Sequence, residues 1–112
     1  MLTNEAEFVL LQLYRYYQDR IEDGMNKREA RYFEDERSVH HNLFVGLDPQ
    51  DFNLALVELS KNGYLKTPKL TSDGYPEFVL EPIAIAEMEN RYNKNFKQIV
   101  SRINTLRKLV TG

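Results

Sequence analysis

The sequence predicts a mainly α fold that carries one small β-hairpin and ends in a long C-terminal helix. Three observations support this. Residues 48–62 form an amphipathic segment that opens on Asp48-Pro49 and closes at Gly63. Thr71-Ser72-Asp73-Gly74 is a tight-turn sequence between two short β-prone runs. From residue 83 onward the apolar residues fall at helical spacing. At 112 residues the chain is expected to be a single domain, 1–112.

The first helix is expected over 4–23. Asn4 is a suitable cap, and Glu7, three residues on, completes a capping-box pattern. Phe8, Leu11, Tyr14, Tyr17 and Ile21 recur at helical steps, while Val9, Leu10, Leu13 and Tyr16 widen that face. Gly24 ends the helix. Residues 25–37, MNKREARYFEDER, are charged and weakly periodic, which leaves open a short helix or a loop with a helical turn. A second, short helix is expected over 35–44, with Val39, Leu43 and Phe44 sharing a face. Val45-Gly46-Leu47 makes the turn after it, where Gly46 can take a positive φ without steric penalty.

The next helix, 48–62, has the clearest start in the chain. Asp48 is a good N-cap, Pro49 suits the first helical position, and Asp51 favours the positive end of the helix dipole. Phe52, Ala55, Leu56 and Leu59 form its core stripe. Strands are expected over 64–70 and 77–80, joined by a turn in which Asp73-Gly74 is the strongest element. Pro68 and Pro76 imply edge positions or a loosely paired ladder. One helix is then expected over 83–111. Within it Tyr92, Phe96, Ile99, Ile103, Leu106 and Val110 form a heptad seam. At about 1.5 Å per residue such a helix would span roughly 40 Å, long for an element that only packs on so small a domain.

Composition narrows the function classes. There is no cysteine, which excludes disulfides, iron–sulfur clusters and thiolate zinc sites. The segment MLTNEAEFVLLQLYRYYQDR lacks the basic start and apolar run of a signal peptide. No stretch approaches the roughly 18 apolar residues of a membrane span. The expectation is a cytoplasmic protein without a membrane partner. A net charge of −2 argues against a strongly basic nucleic-acid binder, but the distribution is uneven. Nine cations and all 17 anions precede Arg91, whereas residues 91–112 hold six cations and no acid. That basic segment lies either against acidic surface of its own or a sister chain, or against something anionic.

Several local motifs carry a family likeness. They are the short helix ending in Leu43-Phe44, the turn Val45-Gly46-Leu47, and the junction Leu59-Ser60-Lys61-Asn62-Gly63-Tyr64-Leu65. To these is added Val79-Leu80-Glu81-Pro82-Ile83-Ala84-Ile85, similar to the close of a wing before a last helix. On these residues, 35–92 resemble the winged helix-turn-helix superfamily of small bacterial regulators. The resemblance covers about half the chain. It implies a winged-helix DNA-binding protein, a small transcriptional regulator, with helix 48–62 in the major groove and a wing over 64–81. Gln50 and Asn53 would then meet adenine edges, Lys61 a guanine or phosphate, and Lys66 and Lys69 phosphates. Asp48, Asp51 and Glu58 oppose that use, and Lys27, Arg28 and Arg31 offset them if they fold beside the helix. Other winged helices serve only as protein-interaction or dimerisation modules, which is the alternative.

The seam Tyr92, Phe96, Ile99, Ile103, Leu106 and Val110 is the expected interface of a homodimer. Like charges beside it favour an antiparallel or crossed pair, with Arg102, Arg107 and Lys108 reaching acids of the partner chain. The competing arrangement folds the helix back on Phe8, Leu11 and Tyr14 of its own chain. Catalysis has little support. His40 and His41 point about 100° apart on a helix and chelate poorly, so no metal is expected. There is no Gly-x-Ser-x-Gly, no serine beside a His–acid pair and no glycine-rich phosphate loop. Neither an enzyme nor a cofactor is expected. Tyr14, Tyr16 and Tyr17 either stack on a flat ligand or line a face buried under the C-terminal helix.

Overall fold

The fold is organised around helix α1 (Asn4–Glu22). Phe8 to Tyr14 are all buried, glutamine included, so the middle of this helix is covered on every side. Its cap is Thr3, not Asn4: Thr3 Oγ1 accepts from the Ala6 amide at 3.2 Å. The computed structural model describes residues 1–111. After α1 come α2 (Lys27–Ala30), β1 (Tyr32–Phe33), α3 (Glu36–Leu43) and α4 (Pro49–Lys61). They are followed by β2 (Leu65–Lys66), β3 (Phe78–Leu80), α5 (Pro82–Tyr92) and α6 (Phe96–Val110). The architecture is therefore mainly helical with a small antiparallel sheet of order β1-β3-β2.

The charged segment that sequence left open holds both a helical turn and a strand. Arg20 organises it, donating to the carbonyls of Ala30 at 3.2 Å and Tyr32 at 2.7 Å. Its guanidinium also lies over the Phe33 ring, 4.4 Å from the centroid. Phe33 stacks on its cross-strand partner Phe78 with centroids 5.4 Å apart. The hairpin is shorter than expected. Pairing is confined to Leu65↔Leu80 and Lys66↔Val79, because Pro68 and Pro76 lack the amides a longer ladder needs. Residues 67–77 form a loop closed by a Thr71–Gly74 bridge. Positive φ falls at Gly24, Gly63 and Gly74, and not at Gly46 as the turn reading expected.

The C-terminal segment is two helices rather than one. Asn93 and Lys94 take left-handed φ of 48° and 58°, and Asn95 caps α6 by accepting from the Gln98 amide at 3.1 Å. The bend turns α6 back along α1. Tyr92, Ile99, Ile103 and Leu106 of the seam are buried in the chain's own core, Val110 is partly buried, and Phe96 stays 52% exposed. The seam expected to join two chains is thus used mostly in cis. Arg102 follows it, donating to Glu7 on α1 at 3.2 and 3.1 Å, so it is not free to reach a partner's acids.

Candidate functional site

Asp48 starts α4 by accepting from the amides of Gln50 at 2.8 Å and Asp51 at 3.3 Å. Phe52, Ala55, Leu56 and Leu59 face the core as the spacing required. The opposite face presents Gln50, Asp51, Leu54 and Lys61 to solvent. Asn53, expected beside them, is turned inward. Its Nδ2 donates to Glu36 Oε1 at 2.9 Å and Oε2 at 3.1 Å.

Glu36 is the residue that sequence reading missed. It is the first residue of α3, at the end of the charged run 25–37, yet it is buried. Besides Asn53 it accepts from the Tyr75 amide at 3.1 Å, while its own amide donates to the Tyr75 carbonyl at 2.9 Å. One carboxylate therefore fixes α3, α4 and the hairpin loop relative to one another. Gly74 allows this approach, since a Cβ there would stand 2.7 Å from the Glu36 carboxyl. No sequence signal separated Glu36 from its solvated neighbours. His40 also proves structural: its Nε2 is 2.6 Å from the Leu47 carbonyl and its ring packs on Phe52. Among the described residues no group of three or more His, Cys, Asp or Glu side chains is placed to hold a metal.

Lys66 and Lys69 on the hairpin segment are exposed, as is Lys61 at the end of α4. None of the three makes an ion pair among the described residues. Of the three anions set against them, two have structural work, while Asp51 is exposed and makes no ion pair among the described residues. Asp48 caps α4, and Glu58 accepts from the Thr3 amide and hydroxyl, both at 2.8 Å. Lys27 and Arg28 sit on α2, and Arg31 leads into β1, at the sheet edge opposite β2. They do not extend the cationic surface of α4. The basic C-terminal segment is partly neutralised in cis. Arg91 pairs with Glu7 and Glu87, Lys94 with Glu89, and Arg102 with Glu7. Hydrogen bonding to Glu7 accordingly raises the Arg102 pKa.

A concavity lies between α1 and the α5–α6 bend. It is a cleft of about 300 Å³ with Tyr14, Tyr17, Gln18, Glu89 and Phe96 in its walls. The Tyr14 and Tyr17 rings are stacked, with centroids 6.3 Å apart. Tyr16, grouped with them in the sequence, is not in the lining. Among the described residues no helix is long and apolar enough to cross a membrane. No family model, curated protein or solved structure matches the chain.

Proposed function

We propose that the chain is a winged-helix domain that binds duplex DNA, with α4 as recognition helix and residues 64–81 as the wing. The element order supports the reading: α3, a turn, α4 and an antiparallel hairpin follow one another as in a helix-turn-helix with an appended wing. The observation that carries it is the set of Lys61, Lys66 and Lys69, exposed and free of ion pairs among the described residues, where a wing would meet phosphates. Base readout is thin. Gln50 remains available, but Asn53 is committed to Glu36. Affinity would then come mainly from phosphate neutralisation and depend little on sequence.

The test is a fluorescence-anisotropy titration of mixed-sequence duplex DNA across a salt series. Three phosphate contacts give a slope of log K against log salt of about −3. Changing Lys66 and Lys69 together to Ala should weaken binding to every duplex alike and reduce the slope by about 2. Absence of binding even at low salt would overturn the reading. A winged helix used for protein contact is the second reading. Leu54, 59% exposed at the centre of the outer α4 face beside Asp51, favours it.

A further inference from the structure

We infer, resting on the reading of α4 as a DNA recognition helix, that Arg107 and Lys108 at the C-terminal end of α6 hold DNA phosphates on the side of the major groove away from the wing. The cations of the basic run 91–112 divide by their partners. Arg91, Lys94 and Arg102 pair with Glu7, Glu87 and Glu89. Lys97, Arg107 and Lys108 are exposed and make no ion pair among the described residues. No acid lies on α6 to offset them. Two of these three cations stand beside the helix-turn-helix. Thr111, the residue after α6, brings its Cγ2 within 3.9 Å of where a Cβ on Gly46 would stand, and Gly46 lies in the turn between α3 and α4. The Thr111 amide and hydroxyl both donate to the Arg107 carbonyl, at 2.9 and 2.7 Å, so the helical path holds to this residue. Arg107 and Lys108 precede it by four and three positions and therefore share its face of the helix end.

Packing beneath the surface ties the same two places together. The Arg107 guanidinium lies over the Phe8 ring, 5.8 Å from its centroid, and Phe8 meets Phe44 edge-on at 6.0 Å. Phe44 caps α3 and leads into the turn. The turn itself is open to solvent, with Val45 77% exposed. Helix α4 has a charge deficit at this end. Its start carries Asp48 and Asp51 and no cation, so phosphates approaching it are repelled unless another element supplies positive charge. The end of α6 supplies it. Length makes the demand real: 13 residues give α4 about 20 Å, whereas the major groove is about 12 Å wide. A helix lying across the groove thus meets phosphates at both of its ends. Lys61, Lys66 and Lys69 serve its C-terminal end, and Arg107 and Lys108 serve its N-terminal end.

The experiment extends the anisotropy salt series on mixed-sequence duplex DNA to variants of α6 in the intact chain. Each phosphate contact adds about 0.9 to the steepness of log K against log salt, so five contacts give a slope of about −4.5 in place of about −3. Arg107→Gln with Lys108→Gln should bring the slope about 1.8 closer to zero and weaken binding to every duplex alike. Lys108→Gln alone, which leaves the packing on Phe8 untouched, should bring it about 0.9 closer. Lys97→Gln removes the same charge roughly 16 Å away along α6 and should leave the slope unchanged. Circular dichroism melts check that each variant is folded. Binding that the Lys66 and Lys69 change weakens while the Arg107 and Lys108 change does not would overturn this inference and leave the DNA reading standing. Equal effects of Lys97→Gln and Lys108→Gln would also overturn it, since they would show general charge attraction in place of a contact. Absence of binding at low salt would overturn both.

Discussion

At the scale of single residues, Glu36 has the widest reach. Its carboxylate is the shared acceptor of Tyr75 and Asn53, so removing it leaves a buried amide unpaired. Glu36→Ala is expected to cost about 1–3 kcal/mol in urea unfolding, in the range for a buried donor stripped of its partner. Gly74→Ala should also destabilise, because φ is +93° and the new Cβ would sit 2.7 Å from that carboxyl. The two losses should be less than additive, since removing the carboxyl removes the clash. Full additivity would mean that the two residues do not meet in solution. Tyr14 adds a pH dependence. Its hydroxyl is raised from 10.0 to about 12, by burial before Glu89. Above pH 10 the unfolded chain releases that proton while the folded chain holds it to about 12. The stabilisation is therefore complete below pH 10 and is lost as pH rises toward 12. Tyr14→Phe should unfold at higher pH than the wild type when ellipticity is followed through an alkaline titration. An unchanged alkaline midpoint would exclude Tyr14 as a contributor.

Among the elements, the bend between α5 and α6 decides where the C-terminal chain goes. Lys94 holds a left-handed φ of 58°, a conformation that costs an L-residue with a Cβ roughly 1–2 kcal/mol. Lys94→Gly should remove that strain against a smaller entropic loss and stabilise the fold by up to about 1 kcal/mol. Its ion pair with Glu89 is 72% exposed at the lysine and adds little. A loss of stability in chemical denaturation would show that the lysine side chain matters more than its backbone. The bend also marks where sequence stopped being legible. The apolar steps from Tyr92 to Phe96 and Ile99 continue across it without a gap, and no glycine or proline interrupts them. The available signal was the pair Asn93 and Asn95: asparagine tolerates the left-handed region and caps helices well. Helix α4 was legible because Asp48, Pro49 and Gly63 act locally, through the backbone within a turn of themselves. Strand β1 was not, since two residues carry no periodicity and its pairing with β3 depends on residues more than forty positions away. Of the candidate site, the exposure of Gln50, Lys61, Lys66 and Lys69 followed from helix phase and turn position. The withdrawal of Asn53 did not, because it depends on the burial of Glu36.

For the whole molecule, the question is whether the seam holds one chain together or two. Ile99, Ile103 and Leu106 have at most 1% of their surface exposed within a single chain. Glu7 of α1 meanwhile gathers Arg91 and Arg102 from α5 and α6. Hydrophobic burial and charge compensation thus both act in cis, which leaves a symmetric pairing of α6 only its outer face. That face carries Lys97 and Lys108, which would approach their own copies with no acid on the same helix to offset them. The expected state at micromolar concentration is a monomer by sedimentation. Ile103→Asp then acts on folding and not on association. It would bury an unpaired carboxylate in the core, a change in the class that costs about 4 kcal/mol or more. A domain of this size has only about 5–15 kcal/mol of stability, so a large drop in melting temperature is expected. Lys97→Asp, on the outer face of the same helix, should leave stability within about 0.5 kcal/mol of the wild type. A wild-type dimer that Ile103→Asp converts to a folded monomer would return the seam to the role its spacing predicts, an interface between chains.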